Sequence, residues 1–240
     1  MKRLRPIIFI LHWMVIILIF SSFHQRIFEK ISLNMETRSA TAGKSTQVKA
    51  TLFYSSEGKM VSYFTAPQEM IIVNNKNGEI IIYNPLNNTV IQQQNFMMST
   101  ETSQLYFFLE NKRNDLGLSG MGYTLKVTRF EDGLKITNWS PPMELAAQVS
   151  SVELVHEKGN PIYMGYHDRK GKIIKKIFFY NYTRVSEYIT FPNAITQIDF
   201  KTPKDSVITK TTYSEFHLNQ QVNDEKLNYS VPSTAKVITK

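Results

Sequence analysis

Residues 43–95 read GKSTQVKATLFYSSEGKMVSYFTAPQEMIIVNNKNGEIIIYNPLNNTVIQQQN. Apolar and polar side chains alternate in the first part, where Val48, Leu52 and Tyr54 fall on one face of an extended strand and Lys49 and Thr51 on the other. Short turns rich in glycine and asparagine follow, and these residues adopt the positive φ of tight hairpins at low cost. The pattern therefore predicts about five successive antiparallel strands.

A meander of this kind has one apolar side that another part of the chain must cover. Residues 25–40 are one candidate, because Ile27, Ile31 and Met35 recur every four residues with charged side chains between them. This spacing predicts an amphipathic helix of about four turns. Its apolar stripe would pack against the concave face of the sheet.

The segment that follows the meander is a second candidate for the covering element. Ser99 or Thr100 can cap the first turn of a helix. Leu105, Phe108 and Leu109 would lie within that helix and make it unusually apolar. We therefore expect two helices on the same side of the sheet.

From Met121 onward, apolar and polar residues again alternate with period two, which predicts further strands, the last of them at residues 185–191. Residues 195–200 and 207–213 would supply one or two closing strands. About eleven strands, two helices and no βαβ spacing predict an α+β fold, mainly antiparallel β, in which a strongly curved half-barrel has two helices covering its open, concave side. A β-sandwich is the rival fold, but its filled interior would leave no place for two apolar helices.

The composition is that of a globular protein with a substantial core. The 240 residues are 42% hydrophobic and include no cysteine, so the chain forms no disulfide and has no thiol nucleophile. The formal charge of +8 includes Lys2, Arg3 and Arg5, and the other basic residues are scattered along the chain. This distribution predicts that nucleic acid is not a partner.

The first residues have the organisation of a targeting segment. Three basic residues precede the apolar run from Ile7 to Phe20, and two serines follow it. Residues 1–24 therefore predict a signal peptide or an uncleaved anchor in the inner membrane. Residues 25–218 would form the half-barrel domain, and residues 219–240 would form a polar C-terminal tail.

Few residues are candidates for a catalytic, metal-binding or phosphate-binding role. His156 and His167 stand at predicted strand ends, without a serine nucleophile motif or a histidine spacing that binds metal, and are interpreted as surface histidines. Gly117, Gly120 and Gly122 lack the lysine and hydroxyl residue of a phosphate-binding loop. We expect no enzymatic activity, no metal and no cofactor.

Five segments of the first meander follow each other in a distinctive order. They are Thr65-Ala66-Pro67, Met70 to Val73, Asn77-Gly78-Glu79, Ile80 to Pro85 and Asn88 to Gln92. This order resembles that of the periplasmic carrier family that takes lipoproteins to the outer membrane, together with its half-barrel relatives. In that family, a strand after a proline leads through a glycine turn into an aromatic-containing strand that ends in Tyr-Asp/Asn-Pro. The order of elements is similar over about residues 25–205.

The resemblance implies a periplasmic, non-enzymatic carrier or binder of acylated ligands, either lipoprotein acyl chains or lipid. The ligand would lie in an apolar cavity between sheet and helices, and opening of the helices as a lid would release it. A continuous void between Leu52, Phe64 and Leu109 is the expected mark of such a cavity. The expected wall residues are Val48, Leu52, Tyr54, Phe64 and Ile72, and the expected lid residues are Ile27, Ile31, Met35, Leu105, Phe108 and Leu109.

Two other functions remain open at this stage. One is a regulatory sensor of the same fold that acts on a membrane partner. The other is a structural surface protein with a filled core. In each case we expect a monomer, and for the carrier we expect transient membrane-protein partners as well as the acylated ligand.

Overall fold

The computed structural model describes residues 27–202 and 205–238. The predicted signal peptide or anchor at residues 1–24 lies outside these ranges. The strands of the described residues, numbered in chain order, are β1 (Lys30–Thr41), β2 (Lys44–Ser55), β3 (Met60–Ala66), β4 (Met70–Asn74), β5 (Glu79–Asn84), β6 (Thr89–Gln94), β7 (Thr124–Glu131), β8 (Leu134–Ser140), β9 (Ser151–Glu157), β10 (Asn160–His167), β11 (Ile173–Arg184), β12 (Thr190–Thr202), β13 (Asp205–Leu218) and β14 (Lys236–Val237).

These strands form one open, curved sheet of 14 strands, in the order β14-β6-β5-β4-β3-β2-β1-β13-β12-β11-β10-β9-β8-β7. All neighbours pair antiparallel except β14 and β6, which pair parallel. The mainly antiparallel, curved sheet predicted from the sequence is confirmed, and the rival β-sandwich is excluded. The expected count of about eleven strands was too low.

The amphipathic helix predicted at residues 25–40 was wrong, because residues 30–41 form β1. Side chains four residues apart share a face in a strand as well as in a helix, so the spacing of Ile31 and Met35 fits both. Leu33 lies between them, is 1% exposed, and shares their face only in a strand. Ala42 and Gly43, with φ values of 46° and 77°, then make a two-residue turn into β2. β1 therefore lies within the sheet instead of covering it.

The run predicted as a strand at residues 185–191 is divided by a turn. The backbone N–H of Val185 donates to the carbonyl of Ile189 at 2.9 Å, and β12 begins only at Thr190. The strands on either side reach close to this turn: β11 continues to Arg184, and β12 extends beyond the expected residues 195–200 at both ends. β13 is longer still, and it pairs with β1 as well as with β12.

We call the side of the sheet that bears Leu52 the inner face and the side that bears Phe53 the outer face. Residues 96–123, which we call the cover, lie against the inner face. The cover contains two 3₁₀ turns, Phe96–Met98 and Thr100–Thr102, and one helix, α1 (Gln104–Leu109). The predicted cap at Ser99 or Thr100 was wrong for this helix, because Ser103 Oγ accepts the Tyr106 N–H at 3.1 Å.

The loop after α1 is part of the cover. Leu116 and Leu118 are 6% and 0% exposed and belong to the main core cluster. Asp115 holds the loop, because its carboxylate accepts the backbone N–H groups of Gly117 and Ser119 at 3.1 and 3.2 Å. The cover is thus anchored on both sides of α1.

The C-terminal residues lie on the outer face. A short helix, α2 (Asp224–Leu227), places Leu227 beside Val222, and both pack with Phe53 and Val61 in a second cluster of buried residues. Residues 219–240, expected from their polarity to be a tail, therefore include a packed segment. β14 then adds two residues to the edge of β6.

The two α-helices of the described residues contain six and four residues. In the described part of the chain, neither is long and apolar enough to span a bilayer.

Candidate ligand-binding site

The five predicted wall residues share the inner face. Val48, Leu52 and Tyr54 alternate along β2, and the pairing register continues their rows into the neighbouring strands. Phe64 lies opposite Ala50, and Ile72 lies opposite Ser62, which is itself opposite Leu52. The five side chains therefore point to one side of the sheet.

The predicted lid residues divide into two groups. Ile31 and Met35 lie in β1 on the inner face, opposite Tyr54 and Ala50, so they extend the wall. Ile27 packs against the same core. The other three, Leu105, Phe108 and Leu109, do lie in α1 and cover the inner face. A single short helix takes the place of the expected pair of helices.

The space beneath α1 is filled by side chains. Phe108 is 1% exposed, and its ring lies 5.4 Å from that of Phe191 and 5.6 Å from that of Phe179. Leu52 and Leu109 belong to the same buried cluster. At these two residues the structure has a packed core where the sequence predicts a void. The ligand-binding role of the predicted residues stays a prediction.

The inner face of β3 to β6 differs from the rest, because the cover leaves part of it accessible. Ile72 pairs with Ile82, and Ile82 pairs with Ile91, so the three form a row across three strands. Each is half-buried, and within the described residues none of them belongs to either packed cluster. Met70 and Phe64 face the same side at the next position along β4 and β3. We call these five side chains the open strip.

An apolar cavity near the end of the β3–β4 hairpin is lined mainly by side chains of the outer face, and it borders the open strip only at Phe64 and Met70. Phe64 and Met70 line this cavity together with Phe53, Tyr63 and Ile71, and its volume is about 440 Å³. This size lies within the usual range for sites that hold small ligands.

One cation stands at the rim of this cavity. Lys226 Nζ lies 4.7 Å from the centre of the Tyr63 ring, and the Tyr63 hydroxyl donates to the Lys226 carbonyl at 2.9 Å. These contacts attach α2 to the cavity wall. They place a positive charge beside an apolar space.

A second cavity, of about 510 Å³, lies between the sheet and the cover and is polar. Its lining includes Tyr54, Tyr106 and Lys76 together with Glu101 and Glu110. Burial, with a smaller effect of Glu110 and Tyr106, raises the pKa of Tyr54 above that of a free tyrosine. Charged groups in its lining make this cavity unfavourable for an apolar ligand.

His156 is held in the packing between the cover and the sheet. His156 is 4% exposed, so its interpretation as a surface residue was wrong. Its Nε2 donates to the Arg113 carbonyl at 2.9 Å, and burial lowers its pKa. In the described ranges, no group of three or more histidine, cysteine, aspartate or glutamate residues could hold a metal ion. His156 therefore contributes to the packing of the cover against β9.

The fold is similar to that of solved lipoprotein-sorting-type proteins, so the resemblance predicted from the sequence is confirmed for the fold. Three solved structures are similar over most of the chain. A DUF1329 family protein from Desulfovibrio piger is 15% identical, with a TM-score of 0.56 and coverage of 84% of this chain and 90% of its own.

The other two similar structures are a LolA superfamily protein and a lipoprotein-sorting domain. A LolA superfamily protein from Nitrosomonas europaea is 13% identical, with a TM-score of 0.52 and coverage of 83% of this chain and 90% of its own. A domain from Vibrio parahaemolyticus, described as an outer membrane lipoprotein-sorting protein, is 13% identical, with a TM-score of 0.55 and coverage of 83% and 89%. No protein-family model and no curated protein matches the sequence.

Three residues of the open strip were missed in the sequence: Met70, Ile82 and Ile91. Their alternation along β4, β5 and β6 places them on the same face as Ile72, so period two was sufficient to find them. Their accessibility was not predictable in this way, because it depends on where the cover ends.

Proposed function

We propose that the protein is a non-enzymatic binder or carrier of acylated ligands that holds an acyl chain on the open strip. The observation that carries this proposal is the difference between the two parts of the inner face. Beneath α1 the apolar side chains are packed, whereas Ile72, Ile82 and Ile91 form an accessible row outside the packed clusters. The similarity of the fold to lipoprotein-sorting proteins supports the same choice.

The open strip suits a chain of methylene groups. Neighbouring strands lie about 4.8 Å apart, so the row of three isoleucines spans about 10 Å. Each methylene that leaves water for such a surface contributes about 0.8 kcal/mol.

Binding on the open strip needs no removal of the cover. Lifting the cover would expose large apolar side chains at a cost of roughly 1.5–3 kcal/mol each. For the six buried side chains involved, this amounts to on the order of 10 kcal/mol, which is comparable with the whole stability of a domain. We therefore propose that the ligand enters beside the cover, in place of the lid opening expected from the sequence. The six are Leu105, Phe107, Phe108, Leu109, Leu116 and Leu118.

The same proposal places the protein in the periplasm. The basic residues and apolar run of the first 24 residues support export across the inner membrane. An acylated ligand passing between membranes would need a protein surface that shields its chains from water.

The test is the lipid content of the protein purified from cells without detergent. We expect native mass spectrometry and lipid extraction to find bound acyl chains on the wild-type chain. Ile82→Asp, which places a charge in the middle of the open strip, should remove most of them. Leu86→Asp, at an 87% exposed position on the β5–β6 turn, is the matched control and should retain them.

An apolar fluorescent dye gives a second measurement on the same variants. The wild type should bind the dye and release it when a fatty acid is added. Circular dichroism shows whether Ile82→Asp is folded. A folded Ile82→Asp variant with the lipid content and dye binding of the wild type would overturn the proposal, as would a wild type that carries no lipid and binds no dye.

A further inference from the structure

The first turn of the cover exposes three consecutive apolar side chains. Phe96, Met97 and Met98 are 70%, 80% and 54% exposed. A contiguous apolar surface on a protein usually contacts something other than water. We call these three residues the tip.

The backbone of the tip is held in place, so its side chains project from a fixed turn. Asn95 Oδ1 accepts the Met97 N–H at 3.0 Å, and Asn74 Nδ2 donates to the Met98 carbonyl at 3.2 Å. Thr102 Oγ1 donates to the Met97 carbonyl at 3.2 Å. Three bonds to a three-residue turn leave it little freedom to fold its side chains back into the core.

The tip lies at the end of the sheet where the described chain begins. The backbone N–H of Ser56 donates to the Glu29 carbonyl at 2.9 Å, which joins the start of β1 to the β2–β3 turn. In the same turn, the Gly58 carbonyl accepts the Thr100 hydroxyl at 2.8 Å. Thr100 follows the tip by two residues, so residues 27–29 and the tip are neighbours at one end of the molecule.

The sequence joined to this end is itself apolar. The run from Ile7 to Phe20 has no charged residue, and only six residues separate it from Ile27. We propose that this end of the sheet docks on a lipid bilayer and that the tip inserts into the bilayer surface. A bilayer accommodates methionine and phenylalanine side chains at its interface, and the nearby run would direct the same end towards it.

The charges beside the tip are mixed, which indicates apolar insertion instead of attraction to acidic lipids. Lys76, whose carbonyl accepts the Ser99 hydroxyl at 2.7 Å, and Glu101 are both exposed. Binding should therefore depend on the tip and little on the fraction of acidic lipid. The proposal is separate from the acyl-chain proposal, because it uses neither the open strip nor its cavity.

The experiment takes advantage of the absence of cysteine from the chain. The full chain with Met97→Cys, and separately with Leu86→Cys, is labelled with a polarity-sensitive fluorophore and reconstituted into vesicles of phosphatidylethanolamine and phosphatidylglycerol. Leu86 is the matched control, because it is 87% exposed and lies at the opposite end of β5 and β6. Quenching is measured with iodide in water and with nitroxide-labelled lipid.

We expect the label at Met97 to be quenched several-fold more by the lipid quencher than by iodide, and the label at Leu86 to show the reverse. Adding Phe96→Ser and Met98→Ser should bring the quenching ratio of the Met97 label several-fold closer to that of the control, and varying the phosphatidylglycerol fraction should change this ratio little. Equal iodide access at both positions would overturn the proposal. Shielding of the Met97 label without vesicles, increasing with protein concentration, would also overturn it and indicate contact with a second copy.

Discussion

Gly117 lies directly against the ring of Phe107 in the cover. A Cβ atom built on Gly117 would lie 2.2 Å from Phe107 Cζ, and the glycine has a φ of +80°. Gly117→Ala should therefore displace the buried Phe107 ring and strain the backbone at a positive φ. We expect the free energy of unfolding to fall by about 2–4 kcal/mol, as measured by urea denaturation.

Gly133→Ala is the control for the backbone effect alone. Gly133 has a nearly equal φ of +79°, but a Cβ there would meet nothing within 4 Å. Gly133→Ala should lower the free energy of unfolding by only about 1 kcal/mol. Equal losses in the two variants would show that Phe107 makes room for the methyl group.

Phe108 is the central anchor of the cover. Its ring contacts those of Phe179, Tyr182 and Phe191 at centroid distances of 5.6, 6.3 and 5.4 Å. Phe108→Ala should lower the free energy of unfolding by about 3–5 kcal/mol, because it leaves a cavity in a packed core. Phe96→Ala, in the exposed tip, should change it by less than about 0.5 kcal/mol. Thermal and urea unfolding of both variants check this difference. A decrease of less than about 1 kcal/mol in the free energy of unfolding of Phe108→Ala would mean that the cover is loosely attached.

His156 should make stability depend on pH. Burial lowers its pKa below the usual 6.5 in the folded protein; the hydrogen bond to the Arg113 carbonyl opposes this in part, and the charges of Lys135 and Arg113 add smaller effects in the lowering direction. Above pH 6.5 the ring is neutral in both states and contributes no dependence. As the pH falls below 6.5, the unfolded chain binds a proton that the folded chain does not, so stability decreases until the lowered folded pKa is reached.

The measurement is the urea midpoint between pH 7.5 and 5 for the wild type and two variants. His156→Gln should show a smaller decrease than the wild type. His217→Gln, at an exposed position, should keep the wild-type slope. The expectation fails if His156→Gln also keeps the wild-type dependence of the urea midpoint on pH.

Leu227 attaches the C-terminal segment to the outer face. It is 6% exposed and packs in the second cluster with Phe53, Val61 and Val222. Leu227→Ala should lower the free energy of unfolding by about 2 kcal/mol, the low end of the usual range, because the cluster is small and near the surface. Hydrogen exchange should be faster in residues 219–230 of the variant. Val237→Ala, at a 64% exposed position, should leave exchange there unchanged.

The first meander could be predicted from the sequence because its turns and its alternation agree. Glycine and asparagine fix where β4 ends and β5 begins, and Gly78 is required there, since a Cβ would lie 2.5 Å from the Asn95 carbonyl oxygen. β1 was harder to recognise with the same rules. Ile31 and Met35 satisfy two periodicities at once, only Leu33 between them favours the strand, and the partner strands on both sides select the extended form.

The candidate site was predictable in part for a similar reason. Period two determines which side of a strand Leu52 and Ile72 occupy, so the inner face could be assigned residue by residue. It does not determine which part of that face another segment covers. Leu52 is buried in one cluster with the side chains of the cover and half-buried Ile72 is not, and this difference depends on packing between distant parts of the chain.

The pairing of β1 with β13 has a consequence for how the chain is made. The hydroxyl groups of Thr37 and Thr211, 174 positions apart, lie 2.9 Å from each other across this pair. The centre of the sheet can therefore form only after β13 has left the ribosome, and contacts between such distant segments form slowly. Until then, the growing polypeptide has no completed domain, and an extended polypeptide is the form that a narrow translocation channel accepts.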